Sequence, residues 1–434
     1  MRSVPVQGKA ARTQFRVPEA WEFLRHLGSG SYAAVAAFKD ETGTDLAVKK
    51  VERVFDHSVL ALRTLREVRI LSHFRHPNVL GLRRLIIDSE QFDDVYMCLE
   101  LMDGDLNQLI HAGKDMLTDY QVQCVLYQVL RGLLCLRRAH VIHRDLKPGN
   151  ILVKAGGDVK IADLGLARTI EAETAETAGH DIGALTEYVV TRFYRAPEVV
   201  LTATRYTYTV DIWSLGCILG EMLTRQPLFE GKDALDQIRK IVSLIGALSA
   251  DDMAWIPRSS PSWKFVERCS KQGNGEDLRR LVRRPGTNPL VLELLEQMLR
   301  FDPSRRISVE HALVHRYVDV FQAAKDAEVA LARAVTPMDW SFDNDLCFNA
   351  EGEPKAFDPA SFRKAFLDTV TTPPSPGAPS PGSSPTRRAN GGYLAAAAPI
   401  AAGDSATRAR RVPTLAAAPP MPSPYITEAS AAAS

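Results

Sequence analysis

The segment Val141-Ile142-His143-Arg144-Asp145-Leu146-Lys147-Pro148-Gly149-Asn150-Ile151-Leu152, followed by Ile161-Ala162-Asp163-Leu164-Gly165, decides how this chain is read. Taken alone, Asp145, Asn150 and Asp163 would be polar residues capping turns. Their surroundings argue for more. Upstream, residues 21–27, 33–38 and 45–51 read as strands separated by Gly-containing turns, and residues 59–72 read as a helix with Leu60, Leu65, Val68 and Leu71 near one face. Downstream, residues 119–139, 210–223 and 291–299 read as longer helices. The pattern predicts an α+β chain with a small β-rich lobe, a large helical lobe and no internal repeat.

The bulk properties set outer limits. The chain has 434 residues, 45% hydrophobic and 24% charged, enough for a sizeable buried core. Lys plus Arg number 53 against 52 Asp plus Glu, so no global field selects nucleic acid or a membrane surface. The six cysteines, Cys98, Cys124, Cys135, Cys217, Cys269 and Cys347, lack the spacing of a zinc site or a disulfide framework, which fits a reducing compartment. No leader-like segment opens the chain and no run of about 18 apolar residues occurs. A cytoplasmic or nuclear location is expected.

Toward the N-terminus, Leu27-Gly28-Ser29-Gly30-Ser31-Tyr32-Ala33-Ala34-Val35 sets two glycines between strands, where the backbone can approach a polyphosphate closely. A plain hairpin turn would read the same way. In Ala47-Val48-Lys49-Lys50, alternation along the strand sends the two lysines to opposite faces, one toward a phosphate and one toward water. Glu67 on the following helix is placed either to hold Lys49 or to sit exposed.

With Gly28, Lys49, Glu67, Asp145, Asn150 and Asp163 in this order, the sequence resembles the protein kinase superfamily. The resemblance implies a two-lobed α+β fold with ATP and Mg²⁺ between the lobes. It assigns Asp145 to the proton of the acceptor hydroxyl, Lys147 to the transferring charge, Asn150 and Asp163 to Mg²⁺, and Lys49 with Glu67 to the nucleotide phosphates. Asn150 and Asp163 are oxygen donors of the type Mg²⁺ takes. The resemblance also implies that Leu27, Val35, Ala47 and Leu152 sandwich the adenine. The backbone of Glu100 and Met102 would meet its edge beside a gatekeeper position near Leu99. Ala196-Pro197-Glu198 resembles the end of an activation segment, with Arg306 as ion-pair partner of Glu198, and Asp211-Ile212-Trp213 resembles the start of a buried central helix.

Leu185-Thr186-Glu187-Tyr188-Val189-Val190-Thr191-Arg192-Phe193-Tyr194-Arg195 narrows the resemblance to mitogen-activated protein kinases of the extracellular-signal-regulated type. It implies phosphorylation of Thr186 and Tyr188 by an upstream dual-specificity kinase, removal by phosphatases, and Ser/Thr-Pro acceptor proteins. Thr191 joins the catalytic set. Phosphate on Thr186 would gather Arg66, Arg144 and Arg168, and phosphate on Tyr188 would pair with Arg192 and Arg195. Two other readings compete with this one. A pseudokinase scaffold is opposed by the complete catalytic set, and a cyclin-dependent kinase by the Thr-Glu-Tyr triplet and the sequence of the small-lobe helix.

Several positions depart from the family pattern. Ala33 replaces the third loop glycine, and Leu164 replaces the usual Phe. Residues 171–183 lengthen the activation segment. Ala234 stands where an aromatic helps bind partner motifs, and Ala323 and Ala327 thin an acidic docking cluster, leaving Asp319, Asp326 and Glu328. The expected organisation is an N-terminal extension at 1–20 and a kinase domain at 21–318, divided near residue 102. A C-terminal extension at 319–370 returns to the lobes, and a disordered Pro/Ser/Ala-rich tail fills 371–434, the whole acting as a monomer. In that tail Thr372, Ser375, Ser380, Ser384 and Ser423 precede Pro, offering self-phosphorylation sites or plain Pro-rich disorder. Arg408, Arg410 and Arg411 form a short basic run.

Overall fold

The computed structural model describes residues 1–7, 12–30, 33–113, 115–169, 192–201, 207–272, 277–283, 286–324, 335–349 and 353–371. Strands β1 (Arg2–Gln7) and β2 (Arg12–Val17) form a hairpin. Strands β3 (Glu22–Ser29), β4 (Ala33–Lys39), β5 (Asp45–Val51), β6 (Leu82–Ile86) and β7 (Val95–Glu100) form an antiparallel sheet in the order β3-β4-β5-β7-β6. Helix α1 (Ser58–His73) packs against this small lobe. The strands at 21–27, 33–38 and 45–51 and the helix at 59–72 therefore appear close to where the sequence predicts them.

The hairpin was not legible in that reading, which starts the ordered body at Trp21. Its inward residues Val6, Phe15 and Val17 are buried with Trp21, Phe38 and Tyr96 on the outer face of the sheet. This corrects the expectation for Lys50. Instead of facing water, Lys50 is only 5% exposed. Its Nζ donates to the Gln14 carbonyl and to Glu52, each at 2.8 Å, and lies 2.8 Å from Asp94.

The large lobe opens with β8 (Gly104–Asp105), α2 (Leu106–His111) and α3 (Asp119–Arg138), then β9 (Ile151–Val153) and β10 (Val159–Ile161). It continues through α4 (Pro197–Leu201), α5 (Thr209–Thr224), α6 (Ala234–Ile245), α7 (Pro261–Gln272), α8 (Leu278–Val282), α9 (Pro289–Met298) and α10 (Val309–Leu313). A capping box of Thr118 and Gln121 starts α3, satisfying donors that would otherwise lack partners. Every residue of α5 from Val210 to Met222 is buried, as expected of a helix apolar on all sides. Gly132 allows α3 to approach its neighbours closely, since a Cβ there would lie 2.7 Å from the Asn78 carbonyl oxygen and from Ile161 Cδ1.

Beyond Tyr317 the chain returns to the small lobe through α11 (Ser341–Cys347) and α12 (Pro359–Thr371). Phe366, fully buried on α12, sits edge-on to Phe55 and Phe92, and Arg363 lies 4.4 Å over the Phe55 ring. All six thiols are free. No helix among the described residues is long and apolar enough to cross a membrane.

Candidate active site

Strand β5 places Lys49 at the centre of the sheet, opposite Val35 on β4 and Met97 on β7. From there Lys49 Nζ donates to Glu67 Oε1 on α1 at 2.6 Å and lies 3.8 Å from Asp163 Oδ1. Glu67 is thus buried against Lys49, which settles the alternative left open by the sequence. Burial opposes the Lys49 cation, but the charges of Glu67 and Asp163 outweigh it and raise its pKa. Half of the Asp163 side chain is open. Burial raises the Asp163 pKa less than nearby positive charge, chiefly that of Lys49, lowers it, so the carboxyl is held below its ordinary value.

The catalytic segment gathers around Asp145. Lys147 Nζ donates to Asp145 Oδ2 at 2.6 Å, and Asn150 Nδ2 donates to the Asp145 carbonyl at 2.8 Å and to Oδ2 at 3.1 Å. With its amide nitrogen committed twice, Asn150 has its oxygen left for a cation. Asp163 and Asn150 together supply two hard oxygen donors, which fits Mg²⁺, an ion that takes its remaining ligands from water and phosphate.

Arg144 (φ 69) and Asp163 (φ 60) occupy the left-handed region, which persists in such residues only when neighbours over-determine it. Buried Asp211 does so for Arg144, accepting the backbone N–H groups of His143 at 2.8 Å and Arg144 at 3.0 Å. Burial raises the Asp211 pKa against these two bonds. His143 in turn bonds the Ala162 carbonyl at 2.9 Å, joining the segment of Asp145 to that of Asp163.

The proposed nucleotide walls lie where β3, β4, β5, β7 and β9 meet the cleft. Ala47, Leu99 and Met102 are buried, and Leu27, Val35 and Leu152 are half-buried. Gly30 N–H donates to the Ala33 carbonyl at 2.8 Å, and among the described residues neither Gly28 nor Gly30 has a neighbour closer than 4.0 Å to an added Cβ. Ser31 and Tyr32 lie outside the described residues, while Ser29 ends β3 and Ala34 is buried in β4. Glu100 has a side-chain role that the sequence did not reveal. Its carboxylate receives Lys154 Nζ at 2.6 Å and lies 3.5 Å from Lys160 and 3.4 Å from Arg83, linking β6 of the small lobe to the strands of the large lobe.

Thr186, Tyr188 and Thr191 lie outside the described residues, as do Asp326, Ala327, Glu328, the tail and the side chain of Ala323. Of the arginines assigned to phosphate, Arg66 is held by Asp343 of α11, with Nε to Oδ1 at 2.7 Å and Nη2 to Oδ2 at 2.6 Å. Arg168 Nη1 donates to the Ala167 carbonyl at 2.8 Å. Arg192 Nη1 donates to the Lys232 carbonyl at 2.7 Å, and the Arg195 amide to the Arg192 carbonyl at 3.1 Å. At the end of the segment, Arg306 Nη1 and Nη2 reach the Glu198 oxygens at 2.7 and 3.0 Å.

Sequence reasoning overlooked Asp211, Glu100 and Asp343 as functional side chains. An acid inside a largely apolar helix was the available signal for Asp211, as for Glu221 further along it, since a buried charge needs a partner. Nothing in the spacing marks Glu100 or Asp343, because their partners are distant in sequence.

Residues 21–318 match the protein kinase domain family. Extracellular signal-regulated kinase 1 of Dictyostelium discoideum is 41% identical over 338 residues, covering 77% of this chain and 62% of that protein. Mitogen-activated protein kinase 4 of Arabidopsis thaliana is 42% identical over 323 residues, covering 74% of this chain and 81% of the relative. Mitogen-activated protein kinase 6 of Oryza sativa subsp. japonica is 44% identical over 298 residues, with 68% and 76% covered. The chain belongs to the protein kinase family and, within it, to the mitogen-activated Ser/Thr kinases. Membership implies ATP with a divalent metal, an upstream kinase and protein substrates.

Proposed function

We propose that the chain transfers the γ-phosphoryl group of ATP to Ser or Thr followed by Pro, once an upstream dual-specificity kinase has phosphorylated Thr186 and Tyr188. The observation carrying this reading is the joint placement of Lys49 on Glu67 and of Lys147 and Asn150 on Asp145. Phosphoryl transfer asks a protein mainly for positioning and charge stabilisation. Lys49, kept charged and aimed by Glu67, holds phosphate oxygens. Asp145 orients the acceptor hydroxyl and takes its proton as that oxygen bonds to the γ-phosphorus and the bond to the ADP oxygen breaks. Lys147 neutralises charge on the group in transit. Mg²⁺, held by Asn150 and Asp163 when bound, would screen the phosphate charges. Thr191 is assigned to the catalytic set by the family resemblance alone.

The Pro-accepting pocket would be shaped by Arg192 and Arg195 pairing with phosphate on Tyr188, and Arg66, Arg144 and Arg168 would serve phosphate on Thr186. The reading further includes deactivating phosphatases, a monomeric state and work in the cytoplasm or nucleus. Phosphorylating the protein with a constitutively active upstream kinase and measuring transfer to peptides with and without Pro after the acceptor tests it. Turnover should rise with both phosphates and fall when Pro is replaced. Transfer indifferent to phosphate and to Pro would overturn the reading.

A further inference from the structure

The guanidinium of Arg66 is 10% exposed and the carboxylate of Asp343 12%, and the two meet in a fork of parallel hydrogen bonds at 2.7 and 2.6 Å. Arg66 precedes Glu67 on α1, so whatever fixes Arg66 also fixes the residue that aims Lys49. Helix α1 depends on such anchors. Its N-cap position, His57, makes no side-chain capping bond, and its first turn carries no acid. The neighbouring ties also come from the C-terminal extension. Arg69 lies 4.8 Å over the Phe342 ring and donates to the Ala365 carbonyl at 3.2 Å, and His73 Nε2 lies 2.9 Å from the Thr336 carbonyl. Asp339 and Asp368 of the same extension also place negative charge near Arg69, while Asp343 is the carboxylate that pairs directly with Arg66.

We propose that Asp343 is a positioning residue for phosphoryl transfer, holding α1 through Arg66 in the orientation that pairs Glu67 with Lys49 before any phosphate reaches the activation segment. A carboxylate gripping a guanidinium through two parallel bonds offers the same fork that a phosphate would offer. Asp343 therefore fills the α1 arm of the arginine set assigned to phosphorylated Thr186, and this part rests on the function proposed above. Once Thr186 carries phosphate, that group supplies an anion to Arg66 and the need for Asp343 falls.

The test uses the full chain in two forms, phosphatase-treated and phosphorylated on Thr186 and Tyr188, with Asp343→Asn and Asp343→Glu. Hydrogen exchange of the Ser58–His73 helix is followed by mass spectrometry, together with KM for ATP. In the unphosphorylated form, Asp343→Asn should speed α1 exchange about tenfold or more and raise KM for ATP, as loss of a charged hydrogen-bonded pair implies. Asp343→Glu should stay within about twofold of the parent, and phosphorylation should bring Asp343→Asn back to that range. Unchanged α1 exchange in unphosphorylated Asp343→Asn overturns the proposal. Equal loosening in both forms, or loosening of Pro359–Thr371 together with α1, also overturns it by reducing Asp343 to general packing. The unphosphorylated arm does not involve Thr186. Failure of the phosphate reading appears separately, as phosphorylation that leaves turnover of the parent protein unchanged.

Discussion

Removing Glu198 should strand a charge in the interior of the large lobe. Arg306 and Glu198 have 0% and 1% side-chain exposure, so water cannot replace the lost partner. Breaking such a buried pair costs about 3–5 kcal/mol. At about 2 °C per kcal/mol for a domain of this size, Glu198→Ala should lower Tm by about 6–10 °C. Arg306 also donates to the Thr209 carbonyl at 2.8 Å and the Arg300 carbonyl at 3.2 Å and lies 5.1 Å over the Trp213 ring. A Glu198→Met, Arg306→Met double variant removes both charges and leaves those two carbonyls to be satisfied, a loss of about 2–6 kcal/mol. Two independent losses would total about 6–10 kcal/mol, so the double variant should be more stable than their sum. Thermal unfolding followed by circular dichroism on the parent, Glu198→Ala, the single variants Glu198→Met and Arg306→Met, and the double variant measures both the single loss and the cycle. A Tm for Glu198→Ala within about 1 °C of the parent, or strict additivity in the double variant, would refute the reasoning.

Asp145→Ala should lower kcat by about 10²–10⁴ while leaving the Kd of a non-hydrolysable ATP analogue within about twofold, checked by turnover and calorimetry. Gly132→Ala would push a methyl group within 2.7 Å of the Asn78 carbonyl oxygen and of Ile161 Cδ1, and the resulting overpacking should cost about 1–3 kcal/mol, read as a lowered Tm. Glu100→Gln addresses the link between the lobes. Burial raises the Glu100 pKa, but the bond from Lys154 and the charges of Lys160, Lys154 and Arg83 more than offset that and leave it below 4.5. A carboxyl with a depressed folded pKa stabilises fully above its unfolded value and loses that contribution as pH falls through the folded value. The Tm advantage of the parent over Glu100→Gln should therefore hold at neutral pH and shrink once pH drops below about 4. A difference independent of pH would show that charge at Glu100 does not matter.

What could be read from the sequence were features whose cause is local. The strand bearing Lys49, the helix bearing Glu67 and the central helix from Asp211 each follow from side-chain periodicity within a few residues. Motif order then located Asp145, Asn150 and Asp163. The β1–β2 hairpin escaped because its apolar residues are few: Val6, Phe15 and Val17 are buried and Val4 packs beside them, against a sheet face whose other residues come much later in the chain. Lys50 was misread for the same reason. Alternation correctly turned it away from Lys49, but whether that face meets water depends on Gln14 and Asp94, which period-2 patterning cannot know. Arg66 was legible as a phosphate partner and illegible as a partner of Asp343, because no local rule links α1 to a short helix far downstream.

The position of α1 shows how these two levels meet in the chemistry. A helix of 16 residues is marginal by itself, and this one has neither a capping side chain nor an acid in its first turn. Its inner face, with Leu65, Val68 and Leu71 buried, fixes depth but leaves rotation about the axis less constrained, since apolar packing has no direction. Direction comes from polar anchors on two sides. Glu67 is drawn to Lys49 on the sheet, and Arg66 is drawn by Asp343 toward α11, so opposed pulls from adjacent residues set the rotation. The first anchor lies inside residues 21–318, where the kinase family is recognisable, and the second lies beyond them. A chain truncated after residue 318 would keep every catalytic motif yet lose the anion that orients Arg66. The family motifs thus define the chemistry, while the C-terminal extension helps decide whether Glu67 is in place to support it.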